Sequence, residues 1–195
     1  MEKIDLNEIE KIENRNIVKN LDWFYHGFDF GNIAKIMENG ILAKKYLDFS
    51  SPNFGDNGKY YISLSKDTNR VFTAFRQYNQ MGPMIIVDNI EAIKCRKNIL
   101  YEWLRFTPLP FRYSGWDDEY QVYSKILPDK FVGIECVLYD WAKDNNLFFL
   151  RRFRDMLEVM QSLDSNLPIY DFSRQEDGIV HELDKEAFLE LSKHL

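Results

Sequence analysis

A chain of 195 residues and 23.3 kDa has room for one domain with a full core and is short for two. Hydrophobic residues make up 45% and charged residues 29%, which excludes disordered, collagen-like and low-complexity architectures. Against 31 Asp and Glu stand 25 Lys and Arg, a net charge of -6, so a broad phosphate-binding surface is excluded while a local basic groove is not.

Met1 to Asn16 is charged throughout, and no later stretch approaches the roughly 18 apolar residues of a membrane span. The sequence therefore predicts a cytoplasmic protein without membrane contact, with signal-less export left open. Cys95 and Cys136 share no metal-ligand spacing, which predicts two buried thiols and neither a metal site nor a disulfide.

In chain order, Asn7 to Asn20 carries Ile9, Ile12 and Ile17 at a weak helical period and predicts a short helix capped by Asn7. The aromatic, β-prone Leu21 to Phe28 predicts a strand ending at Gly27. A helix is expected from Asn32, with Ile33, Ile36 and Met37 inward and Gly40 as its stop. Turn residues 50–58 lead into the predicted strand Lys59 to Ser65, and Asp67 or Thr68 should cap a helix bearing Val71, Phe75 and Tyr78. Met84 to Asp88 predicts a buried strand, and Thr107 to Asp118 a long irregular loop.

Glu119 to Ser124 alternates, with Glu119, Gln121 and Tyr123 on one face and Tyr120 and Val122 on the other. The LPDK of 127–130 should join it to a second strand from Phe131 to Leu138. The strongest amphipathic helix predicted runs through Phe149, Phe153, Met156, Leu157, Met160 and Leu163, packed on the sheet. Its basic run, Arg151, Arg152 and Arg154, lies off that stripe and reads as a solvated face, or as phosphate ligands if it borders a cleft. An extended piece around Ile169 to Phe172 and a helix opened by Asp184 complete the chain.

Three spots combine residue types suited to chemistry: FYHG (24–27), GKYYISLS (58–65) and DDEYQV (117–122). Taken alone, each has a structural reading, as a core histidine, packed tyrosines and a strand-end carboxylate. Together they resemble the ADP-ribosyltransferase superfamily, in the branch with a His, Tyr, Glu signature shared by diphtheria-like toxins and poly(ADP-ribose) polymerases. FYHG followed by NIAKIMENGI is similar to that family's first strand and helix, GDNGKYYISLSKD to its second motif, and DDEYQVYSKILPDKFVGIEC to its third, where a strand opens on the catalytic Glu and a short loop returns the chain as a neighbouring strand. The likeness spans roughly Phe24 to Cys136. Phe28 stands where Thr is common, and ISLS with Asp117-x-Glu119 resembles the Ser-x-Ser and paired acids of the Arg, Ser, Glu branch.

The resemblance implies an α+β domain over 1–195: a split β-sandwich of two packed sheets divided by a cleft, with peripheral helices, a core over about 21–140 and a C-terminal helical extension over 141–195. It implies NAD as substrate, Glu119, His26 and Tyr61 as catalytic residues, and His26, Gly27, Tyr60, Tyr61 and Ser63 around the NAD. Breaking the bond between nicotinamide and ribose develops positive charge on the ribose, which a carboxylate stabilises. Glu119 takes that role, a tyrosine the flat nicotinamide, Gly27 its carboxamide and His26 the adenosine ribose. Tyr61 is the favoured stacking residue and Tyr60 the alternative, since alternation puts them on opposite faces. The acceptor is expected to be a protein, with nucleic acid as a second option; NAD hydrolysis and a binding module without turnover are the competing functions.

Overall fold

The computed structural model describes residues 4–43, 61–66, 82–97, 113–114, 119–123, 125–176 and 178–195. The helix expected after Asp67, most of the loop over 107–118 and Tyr60 lie outside the described residues. Among those described, no helix is long and apolar enough to cross a membrane.

The first element corrects the expectation of a helix through Asn20. Helix α1 covers only Leu6–Lys11, its start fixed by Asp5, whose carboxylate accepts the Asn7 N–H at 3.0 Å. Ile9 and Ile12 are buried, and the chain then extends into strand β1, Glu13–Val18. The helical period ran through this segment, but an antiparallel partner 160 or more residues away outweighs so weak a local preference. That partner is β13, Ile179–Leu183, with Ile17 opposite Val180.

Strand β2 is Phe24–Gly27, followed by a 3-10 turn at Phe30–Asn32 that Asp29 caps, and by helix α2, Ile33–Asn39. Gly40 ends α2 with φ at 81°, and a Cβ there would meet the Ile126 carbonyl oxygen at 2.2 Å. Both conformation and space demand glycine. Then come β3 (Ile41–Leu42), β4 (Tyr61–Ser65), β5 (Met84–Val87), β6 (Ile93–Lys94), β7 (Arg96–Lys97), β8 (Tyr113–Ser114), β9 (Glu119–Tyr123), β10 (Lys125–Ile126) and β11 (Phe131–Cys136). Helices α3 (Leu138–Lys143) and α4 (Leu147–Ser162), strand β12 (Ile169–Glu176), β13 and helix α5 (Lys185–Leu191) close the chain.

The result is an α+β fold around a large, mostly antiparallel sheet. Among the described residues nine strands form one sheet in the order β1-β13-β12-β11-β5-β2-β4-β9-β6, with β11 and β12 parallel; β10 pairs with β3, and β7 with β8, in separate two-stranded sheets. Strands β9 and β11 are not neighbours, as their short connection suggested. Between them the chain gives β10 to β3 and turns at Pro128–Lys130, and β11 is inserted between β5 and β12. The all-apolar β5 is buried on both faces and supplies the apolar partner that a central strand such as β11 requires. The final third is more than helical: β12 and β13 extend the sheet towards β1.

Each face of the sheet carries its own cluster. On one, Phe24, Ile62, Leu64, Ile85, Val87 and Ile134 pack with the helices. Helix α4 buries Phe149, Phe153, Met156, Leu157 and Met160, and the Phe153 ring lies 5.6 Å from that of Trp141 and 5.0 Å from that of Phe188. Leu163, expected on the same stripe, is the C-cap of α4 and half exposed, because the helix ends before its turn returns inward. On the other face Trp23, Tyr25, Met84, Ile86, Tyr170, Phe172 and Val180 cluster.

Helix α3 is docked onto β12 by its own N-terminus. The buried Asp171 accepts the Tyr139 N–H at 3.0 Å, and the Ser173 hydroxyl accepts that of Asp140 at 3.2 Å. Burial raises the Asp171 pKa, and its hydrogen bonds from Ser173 and Tyr139 oppose that rise.

Candidate active site

The site grows from a change in pairing between β2 and β4. These strands share one residue pair, Tyr25 opposite Ser65, whereas β4 and β9 pair along five positions from Tyr61–Tyr123 to Ser65–Glu119. Directly opposed residues of an antiparallel ladder point to the same face, so Ser63, Ser65, Glu119 and Gln121 share the face that carries Tyr25.

Beyond the single pair, a side chain takes over from the ladder. His26 Nδ1 lies 2.8 Å from the Ser63 carbonyl oxygen. A carbonyl only accepts, so Nδ1 donates, and in the neutral ring Nε2 is left as an acceptor. Burial lowers the His26 pKa, with the Ser63 bond opposing it, so the neutral ring prevails at neutral pH.

Ser63 also connects in the other direction. Its hydroxyl donates to Glu119 Oε1 at 2.8 Å, a diagonal contact, since the residue directly opposite Ser63 is Gln121. Gln121 Nε2 lies 3.3 Å from the same carboxylate oxygen. Two neutral donors thus converge on Glu119 Oε1, the kind of charge-assisted bonding that steadies a carboxylate. The Cys95 N–H comes close as well, donating to the Glu119 main-chain oxygen at 2.9 Å. Burial, and secondarily the Glu119 charge, push the Cys95 thiol up to about 12, so this sulfur stays protonated and is no nucleophile at neutral pH.

Of the residues singled out in the sequence, His26 and Glu119 are both bonded to Ser63, His26 to its main-chain carbonyl and Glu119 to its hydroxyl, although strand alternation puts His26, opposite Ile85, on the helix-side face and Glu119 on the face of Tyr25. Gly27 follows His26 in β2, opposite Met84 of β5. Tyr61 shares its strand face with Ser63 and stands opposite Tyr123; at 8% exposure its ring is packed rather than open as a stacking platform. Phe28, in the place where the resemblance expects Thr, is buried in the helix-side core. Tyr60 lies outside the described residues. Gln121 was not singled out, although its period-two spacing from Glu119 was the available signal: a polar residue on a carboxylate's own strand face.

The basic run on α4 does not converge on these residues. Arg151 Nε donates to the Leu195 carbonyl at 2.7 Å, Arg152 pairs with Asp29 at 2.9 Å, and Arg154 reaches the Ser192 carbonyl at 3.4 Å and Asp155 at 3.3 Å. These side chains tie α4 to the chain end and to the turn after β2. A depression lined by Met37, Glu38 and Leu163 to Leu167 shares none of the site residues.

Comparison with family models, with curated proteins and with solved structures finds no match to this chain.

Proposed function

We propose that the chain is an NAD-dependent ADP-ribosyltransferase, which moves ADP-ribose from NAD to a macromolecular acceptor and releases nicotinamide. The observation that carries this reading is that His26 and Glu119 are both bonded to Ser63, through its carbonyl and its hydroxyl, at the point where β2 and β4 stop pairing. These bonds join residues 93 positions apart, from the first and third motifs of the resemblance, through a member of the second. The specific split-sandwich architecture belongs to the same proposal, and the one-residue pairing of β2 with β4 supports it.

In this reading the C–N bond between the nicotinamide and its ribose breaks with its electron pair going to nicotinamide, and the ribose gains oxocarbenium character. Glu119, a carboxylate fixed before the reaction begins, stabilises that charge without reorganising. The acceptor then attacks the ribose carbon from the opposite side and gives up its proton to solvent, nicotinamide having left as a neutral molecule. His26, neutral and with Nε2 as acceptor, takes a hydrogen bond from a ribose hydroxyl, and Gly27 offers main-chain groups to the carboxamide. Tyr61 supplies the aromatic face, which requires its ring to be uncovered when the nicotinamide enters.

Incubation with NAD labelled in its adenylate half tests the reading. Label entering protein, with stoichiometric nicotinamide release, is the expected outcome. Label in nucleic acid would change the acceptor, free ADP-ribose alone would make the chain a glycohydrolase, and no release with or without cell extract would remove the catalytic reading.

A further inference from the structure

Glu119 has a neighbour whose chemistry the proposed reaction does not yet use. Gln121 is fully buried, at 0% exposure, on the strand next to the sheet edge formed by β6. A primary amide withdrawn from water is costly unless its hydrogen-bonding groups are satisfied, and packing alone at that position would favour an apolar side chain. Its direct neighbours across the ladder are Ser63 on β4 and Ile93 on β6. Of these, Ser63 also donates to Glu119 Oε1. The amide Nε2 and the Ser63 hydroxyl therefore reach one oxygen from two strands, at 3.3 and 2.8 Å.

We infer that Gln121 is a positioning residue for Glu119: with Ser63 it clamps one carboxylate oxygen and so fixes the plane and direction of the group that faces the developing ribose charge. The inference rests on the transferase reading for its catalytic consequence, but its geometric content concerns Glu119 alone. A neutral donor suits the task better than a cation. Lys or Arg at this position would neutralise the charge that stabilises the transition state, while an amide orients the carboxylate and leaves its charge intact. Clamping from two separate strands also resists rotation better than one donor does, because a single hydrogen bond leaves the side-chain torsions free to sweep.

Gln121→Met, of similar length and volume but without the donor, tests this. Its kcat for nicotinamide release should fall about tenfold, as expected for losing a hydrogen bond to a charged group, while KM for NAD stays within about twofold. In a Glu119→Gln background the same substitution should have little further effect, because the group it positions is already gone. A loss of equal size in both backgrounds, or an unchanged kcat in the parent background, would overturn the inference. Gln121→Leu, compared with it in melting temperature, separates a folding defect from loss of positioning: both variants should lose turnover alike even where their stabilities differ. If the parent cleaves no NAD, the transferase reading fails and a crystal structure of Gln121→Met decides the rest: a Glu119 carboxylate displaced from the Ser63 hydroxyl supports the inference, and one still in place overturns it.

Discussion

The Ser63 hydroxyl donates to Glu119 Oε1 at 2.8 Å while the Ser63 carbonyl accepts from His26, so one residue of β4 holds both the imidazole and the carboxylate. Ser63→Ala removes one of these bonds and leaves the other, which is made by the main chain. Turnover of NAD should fall about tenfold for the lost charge-assisted bond. Stability should change by no more than about 0.5 kcal/mol, since the side chain is exposed. Nicotinamide release and a denaturant melt on the same preparation check both halves.

Glu119→Gln keeps shape and most ground-state hydrogen bonds but removes the charge that matters as the glycosidic bond breaks. Turnover should drop by a factor of about 100 or more, with NAD affinity by calorimetry changed far less. His26→Ala should have the opposite emphasis, weakening NAD binding more than turnover. Undiminished turnover in Glu119→Gln would remove Glu119 from the mechanism.

Acid should destabilise the protein through His26. Its pKa is lowered from 6.5 by burial, so between the folded-state value and about 6.5 the unfolded chain binds more protons than the folded one. Stability therefore rises with pH across that window: below the folded-state value the full cost of charging the partly buried ring is present, and above about 6.5 it is absent. Melts at about pH 5 and about pH 7.5 should show a loss in acid that His26→Gln reduces. A gap between parent and variant that does not change with pH would place the acid sensitivity elsewhere.

Phe153 is fully buried between the Trp141 and Phe188 rings. Truncation to Ala removes its burial and leaves a cavity among aromatic neighbours that cannot easily collapse, at a cost of about 3 to 5 kcal/mol. Equilibrium urea unfolding measures it. A variant as stable as the parent would mean that this helix face packs less tightly than its ring distances indicate.

Arg152 separates a structural role from phosphate binding in the basic run of α4. Its partner Asp29 is exposed, so Arg152→Ala should cost at most about 1 kcal/mol. NAD affinity should be unchanged, and a loss of tenfold or more would bring this arginine into the site.

Much of the local structure was legible because it depends on near neighbours. The face of α4, the stop at Gly40 and the strands at His26, Tyr61 and Glu119 follow from period and backbone preference, which a single segment carries within itself. The helix expected beyond Ile12 failed for the converse reason: β1 exists because β13 lies beside it, and nothing within Glu13–Val18 encodes a partner so far along the chain. The spacing of β9 and β11 was misread likewise, since a short connection does not reveal that β10 leaves to pair with β3. For the candidate site, the family resemblance pointed to His26, Ser63 and Glu119, and alternation gave the shared face of Ser63 with Tyr61. What tertiary structure alone decided is how they join: a ladder reduced to one pair lets an imidazole take a strand carbonyl, and a diagonal across β4 and β9 brings a serine rather than a tyrosine to the carboxylate. Hydrogen bonds of this kind depend on register between strands, and register is set by the packing of the whole sheet rather than by any one of its segments.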